Sequence, residues 1–324
     1  MFVRNPTDRE IVCKRDHIDF EKHGVSLRFA NVMTVDCYRL VNRSWRLATE
    51  LPVPQALHAC FNATAWDGTS VTASGAIAAP PRGKLAQRVG LRVGEIQRTL
   101  VARAARRWLR QRDKLVLGTD EEWQPMALDW SQAFGGSVEM PAGKDPISGL
   151  PRPAFVGMHP QNPIGKGFAP EDRAEGLELP RLELLEDQLT RFGELPIPGC
   201  FAACGGRLSG LTARIPEKHP LAMGSYRSLL APHHVAPAFL IMPWLATGTQ
   251  VHLNGVETEL RFELPTSTLK VRARSKHPVR QGTRLRAINL DADAQSVTCV
   301  WQHAVVTKRA TLPDLEIEYR GAAP

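Results

Sequence analysis

Apolar and polar residues alternate with a period of two wherever this chain carries a clear pattern. Val256, Thr258, Leu260, Phe262 and Leu264 take turns with Glu257, Glu259, Arg261 and Glu263, as a half-buried strand requires. Leu269, Val271 and Ala273 repeat the pattern against Lys270, Arg272 and Arg274. Asn254-Gly255 predicts a type I′ hairpin turn within 251–265, because both turn residues must take positive φ. Two further β-like runs, 285–290 and 297–306, flank the polar Asp291-Ala292-Asp293-Ala294. The C-terminal third therefore reads as an antiparallel meander. The N-terminal third predicts strands at 25–29, 32–41, 56–62, 70–77 and 89–93.

Gly94-Glu95 suits a type II′ turn, which would make the next segment a hairpin partner of 89–93. The same segment fits a second pattern. Ile96, Leu100, Val101, Ala104 and Trp108 could form one face of a basic amphipathic helix over 95–112. Strand is the reading taken for its first part. Residues 136–170 hold thirteen glycines and prolines in 35 positions, which excludes a long regular element. Phe155, Val156, Met158 and Phe168 predict that this long loop is ordered and packed on the body. Residues 181–192 predict a short helix, with Pro180 before it, Leu182, Leu185 and Leu189 along one side, and Gly193 as its stop. The expected fold is mainly β, with antiparallel sheets in two closely packed, sandwich-like halves, 1–115 and 116–324, a long Gly/Pro-rich loop and few short helices.

Composition adds bounds. The 324 residues are 43% apolar and 23% charged, ordinary for a globular protein with one large core or two smaller ones. No run approaches the roughly 18 apolar residues of a membrane span, and the N-terminus carries no apolar leader, so a cytoplasmic protein is expected. Cys13, Cys37, Cys60, Cys200, Cys204 and Cys299 are too dispersed for a disulfide framework. Charge is local. Residues 82–114 place eleven cations, among them Arg98, Arg103, Arg106, Arg107 and Arg110, against Glu95 and Asp113. That excess accounts for more than the whole net charge of +8, and it marks a basic patch.

The candidate chemistry fails residue by residue. Gly165-Lys166-Gly167 lacks the preceding glycine and following hydroxyl of a phosphate loop, and no GxGxxG or GxSxG is present. Cys200 and Cys204 are spaced CxxxC without a partner pair, and His233-His234 are adjacent, so no zinc ligand set emerges. Asn289, Asp291 and Asp293 open like a calcium loop, but Ala294 and Val300 replace its glycine and glutamate, so a polar hairpin turn is expected. No catalytic residue, cofactor or metal is expected. The basic patch leaves one alternative, nucleic-acid binding through 82–114, although no recognised nucleic-acid module is visible. A solvated face or one complementary to an acidic protein is preferred. A basic helix on a membrane and a hydrolase with a dispersed site stand behind these.

What remains are Gly-, Pro- and aromatic-rich motifs: WQPMALDWSQAFGG at 123–136, QNPIGKGF at 161–168 and LPRLEL at 179–184. Such residues fix backbone geometry and offer contact surface. Taken in order with Arg4-Asn5-Pro6-Thr7, SVTASGAIAAP at 70–80, Arg107-Trp108, 196–199 and Val300-Trp301, they resemble a bacterial family of type VI secretion accessory proteins, long catalogued as a domain of unknown function. Ala133-Phe134-Gly135-Gly136 and Asn162-Pro163-Ile164-Gly165-Lys166-Gly167-Phe168 are similar to its two most specific motifs. One stretch departs: 231–250 has no acid, where the family commonly carries acids and an Ala-Pro-x-Asp-Gln signature. The resemblance implies a non-enzymatic adaptor or chaperone that binds a toxin effector and helps load it onto the secretion spike protein. Trp123, Trp130, Phe134 and Phe168 would suit contact anchors. Core packing is the preferred role for Trp130 and Phe134, and docking and scaffolding both stay open for the loop 136–170.

Overall fold

The alternation read from the sequence becomes strand pairing throughout. The computed structural model describes residues 3–4, 11–20, 25–48, 68–144, 149–159, 161–202, 244–275, 279–307 and 313–319. The first strands are β1 (Val3–Arg4), β2 (Ile11–Phe20), β3 (Val25–Val41), β4 (Ser44–Leu47), β5 (Ser70–Ser74), β6 (Ala86–Val93) and β7 (Ile96–Arg103). Then come β8 (Trp108–Gln111), β9 (Lys114–Leu117), β10 (Phe134–Gly135), β11 (Ser137–Met140), β12 (Gly143–Lys144), β13 (Pro151–Arg152), β14 (Phe155–Met158), β15 (Lys166–Gly167) and β16 (Leu182–Leu184). The last are β17 (Gln250–Asn254), β18 (Leu260–Glu263), β19 (Leu269–Arg274), β20 (Arg280–Asp291), β21 (Ser296–Thr307) and β22 (Asp314–Tyr319). Among the described residues, helix is confined to one turn, α1 (Glu171–Ala174), and a 3-10 turn at Trp130–Gln132, capped by the Asp129 side chain.

Two sheets face each other across one apolar core. One runs β2-β3-β21-β20-β5, with β4 added on β3. The other runs β16-β7-β6-β17-β18 and is antiparallel throughout. Tyr38, Ile288, Val297 and Trp301 of the first meet Leu91, Leu100, Leu253 and Phe262 of the second. This is the mainly β fold with antiparallel sheets and few helices expected from the sequence, and each of the two sheets draws strands from both 1–115 and 116–324. The long strands β3 and β21 outrun that core. Further along, Ala30, Val32 and Val305 cover a second cluster with Leu269, Val271, Leu315 and Ile317 of the three-stranded sheet β1-β22-β19. Buried Asp36 lies on β3, where it accepts the Thr268 backbone N–H at 2.9 Å and the Thr268 hydroxyl proton, and so pins the crossover from β18 to β19.

Several local expectations change. The C-terminal strands are not one meander: β17 and β18, β19, and the β20–β21 hairpin join three different sheets. Asn254-Gly255 does not make the tight hairpin turn, and Asn254 lacks the positive φ that turn requires. Instead Asn254 ends β17, its Oδ1 accepts the Gly90 N–H at 2.9 Å, and a wide loop leads to β18 at Leu260. The buried set Val256, Leu260, Phe262 and Leu264 is nonetheless the alternating set read from the sequence. The segment after Gly94 is strand β7 and no helix: Gly94 takes φ +57° and Val93 pairs with Ile96. No helix forms over 181–192 either. Leu182 and Leu184 pair with Ala102 and Leu100 of β7, and burying them beside that strand outweighs the helical spacing. The predicted strand at 56–62, His233-His234 and most of 231–250 lie outside the described residues.

Candidate functional site

The motif residues converge, and they converge inward. Met126, Leu128 and Trp130 alternate into the main core as 126–128 lies along 75–77, and the Trp130 indole donates to the Ala202 carbonyl at 2.8 Å. Beyond Trp130 the two most specific motifs clasp each other. β10 and β15 pair in parallel, Phe134 with Lys166 and Gly135 with Gly167. The Lys166 N–H reaches the Ala133 carbonyl, and the Phe168 N–H reaches that of Gly135, both at 2.9 Å.

Asn162 locks the clasp from inside. It is fully buried, and its Nδ2 donates to the carbonyls of Trp130 at 2.8 Å and Phe134 at 2.9 Å. Its own carbonyl accepts the Gly136 N–H at 2.8 Å. Gly135 stands against that carbonyl with φ +143°, where a Cβ would overlap the oxygen. Pro163 is buried beside Asn162. Phe168 packs half-buried, and the His159 ring sits edge-on between Phe134 and Phe168, with centroids 5.2 and 5.4 Å away. Lys166 bonds Glu178 at 2.7 Å. Trp130, Phe134, Gly135, Gly136, Asn162 and Pro163 are therefore scaffold in place, with Gly165, Lys166, Gly167 and Phe168 half-buried around them.

Burial lowers the pKa of His159, whose Nδ1 accepts the Asn162 N–H at 3.2 Å. The neutral ring is the folded form, so the unfolded chain takes up this proton first as pH falls. Stability contributed here is complete above the ordinary imidazole value of about 6.5 and is lost below it. Urea unfolding from pH 7.5 to 5.5 should show a slope of up to about 1.4 kcal/mol per pH unit that His159→Gln removes. An unchanged slope in that variant would place the titration elsewhere.

The basic patch is met by acids from later in the chain. Arg98 faces Glu186 at 3.9 Å, Arg103 and Arg106 face Glu183 at 3.3 and 2.9 Å, Arg107 faces Glu121 at 3.3 Å, and Arg110 faces Glu175 at 3.1 Å. Trp108, near the C-terminal end of the patch in sequence, is buried with Phe192 against it at 5.3 Å. Glu183 is buried, and burial raises its pKa against the opposing pull of Arg106, the Leu189 N–H and Arg103. Burial also lowers that of Arg181, which Glu178 offsets, and the guanidinium lies over the Trp123 ring at 5.9 Å. Among the described residues no group of His, Cys, Asp and Glu could hold a metal ion, and no helix is long and apolar enough to cross a membrane.

The segment after β16 was missed as a surface by the sequence reading. Residues 185–198 are fastened at several points: the Leu185 N–H to the Thr99 carbonyl at 3.0 Å, Leu189 to Glu183 at 2.9 Å, and Ile197 to the Asp187 carboxylate at 2.7 Å. Thr190 donates through its backbone and hydroxyl to Glu194, which holds that carboxyl below its ordinary value. Between these ties Leu185, Leu195 and Ile197 are 37%, 67% and 40% exposed. The signal available in sequence was three aliphatics inside a run of Glu, Gln, Thr and Pro.

The family described as "Uncharacterized protein conserved in bacteria (DUF2169)" matches residues 39–302, more than half of the chain. The chain belongs to this family. The match spans the clasp, the arginine–carboxylate pairs and the 185–198 segment. It also corrects the resemblance drawn from the motifs: the family is an uncharacterized bacterial one, and nothing in the match links it to type VI secretion accessory proteins. No curated protein and no solved structure matches the chain.

Proposed function

We propose that this protein is a non-enzymatic adaptor that grips a client protein through the fastened segment 185–198. The observation that carries this reading is the exposure of Leu185, Leu195 and Ile197 on a segment tied down by backbone and carboxylate hydrogen bonds. Exposed aliphatics in one short stretch suit a partner, and a pre-ordered loop loses little freedom on binding. The clasp supports the same reading, since its motif residues serve rigidity and leave no reactive side chain at the surface. In its finer form the client is a toxin effector that the adaptor helps load onto a secretion spike protein. The alternative, nucleic-acid binding through 82–114, is disfavoured by the carboxylates that already face Arg98, Arg103, Arg106, Arg107 and Arg110.

The test is co-expression with the product of the adjacent gene, followed by affinity capture and a binding titration. Leu195→Asp should weaken the complex roughly 30-fold, about 2 kcal/mol, with an unchanged melting temperature. Equal capture by the variant, or no complex with the neighbouring product, would sink the reading.

A further inference from the structure

β19 lies at the end of the three-stranded sheet β1-β22-β19. β22 pairs along one of its edges, and among the described residues no strand pairs along the other. An open strand edge presents a row of backbone donors and acceptors, and proteins commonly cover such a row. Here two side chains do so. The Ser267 hydroxyl donates to the Leu269 carbonyl at 2.9 Å and accepts the Leu269 N–H at 3.3 Å. Further along, the Gln281 side chain donates its amide N–H to the Val271 carbonyl and accepts the Ala273 N–H, both at 3.1 Å.

The Gln281 contact has the form of a ladder. In a parallel pair, one residue donates to the carbonyl before its neighbour and accepts from the N–H after it. Around Arg272 the Gln281 amide makes that same pair of bonds with a side chain. It stands in for one residue of a parallel strand. Beside it is a cleft of about 400 Å³ whose walls include Ser267, Val271, Gln281, Gly282, Thr283 and His303. The cleft therefore borders the edge that Gln281 covers. A Cβ on Gly282 would meet nothing within 4 Å, so this wall leaves room for a chain. Gln281 itself is exposed.

We propose that the β19 edge is a docking slot for an extended peptide segment, which enters in parallel and takes the place of the Gln281 amide. Main-chain bonds hold such an added strand, and its alternate side chains enter the cleft or face solvent. At Arg272 the exchange is even in hydrogen bonds. One peptide N–H and one peptide carbonyl replace those of Gln281, whose amide returns to water. The surplus comes from the peptide side chains that leave water for the cleft. Gln281 is then a competitor that keeps the edge from pairing indiscriminately. The inference does not rest on the surface at 185–198, so either can fail without the other.

The probe is the uncharged peptide acetyl-Thr-Val-Thr-Val-Thr-amide, and a copy N-methylated at every residue is the control. Backbone amide resonances of the 15N-labelled full chain report binding. The expected result is a saturable shift of the Ala273 amide with the first peptide and none with the copy, which lacks N–H donors. Gln281→Ala removes the competitor and should tighten binding roughly fivefold or more. Without peptide, that variant should also exchange its Ala273 amide hydrogen faster, and the peptide should slow it again. Silence from the first peptide in both proteins overturns the proposal. So does an equal response to the N-methylated copy, or an affinity in Gln281→Ala no greater than in the parent chain. A Gln281→Ala chain that dimerises without peptide would hand the edge to a second copy, and that result overturns it too.

Discussion

Gly135→Ala is expected to lose on the order of 4 kcal/mol or more of stability, a large share of what holds a typical domain together. Two independent penalties meet at this position. The backbone takes φ +143°, which residues with a Cβ rarely adopt. The new Cβ would also overlap the Asn162 carbonyl oxygen and lie 2.8 Å from the Asn162 Cβ. Neither neighbour is a flexible side-chain end that could swing aside. Asn162 is held by bonds to Trp130 and Phe134, and its carbonyl by the Gly136 N–H. Relief therefore means parting β10 from β15. Gly143→Ala supplies the control, since its Cβ would meet nothing within 4 Å and its backbone needs no special conformation. Urea midpoints should drop sharply for the first variant and hardly move for the second. Equal midpoints would mean that the clasp is not rigid.

That clasp also shows where sequence reasoning reaches its limit. The strands were legible because burial on one face writes itself as alternation, and Leu269, Val271 and Ala273 against Lys270, Arg272 and Arg274 need no tertiary knowledge. Gly94-Glu95 was legible because the turn chemistry is local. Asn162 was not, since nothing near it in sequence indicates that its amide reaches back to Trp130 and Phe134. The helix expected over 181–192 failed for a related reason. Leu182, Leu185 and Leu189 have helical spacing, yet Leu182 and Leu184 equally have strand spacing, and only β7 alongside them decides. The basic run 82–114 was read as a surface because its carboxylates arrive from 121 and 175–186, far along the chain.

Those distant acids lead to the second large effect. Glu183→Ala should destabilise the protein by about 3 kcal/mol, the cost of leaving a buried guanidinium with only the more distant Asp120 carboxylate, at 3.8 Å, as counter-charge. Arg106 is 7% exposed and donates to Glu183 Oε2 at 2.9 Å, while Glu183 Oε1 accepts the Leu189 N–H at the same distance. Alanine strands both donors at once and loosens the root of the 185–198 segment. Glu183→Leu with Arg106→Met should recover much of the loss, because an apolar pair of similar volume needs no charge compensation. The acid itself leaves a pH signature opposite to that of His159. Burial raises the pKa of Glu183, so the folded protein still holds this proton where the unfolded chain has released it. From the ordinary carboxylate range up to the raised folded value, stability then falls as pH rises, by up to about 1.4 kcal/mol per pH unit. Glu183→Gln should flatten that descent while leaving the loss below 6.5 that belongs to His159. A variant that alters neither the midpoint nor the slope would show that the arginine–carboxylate lattice around β16 is ornamental to stability.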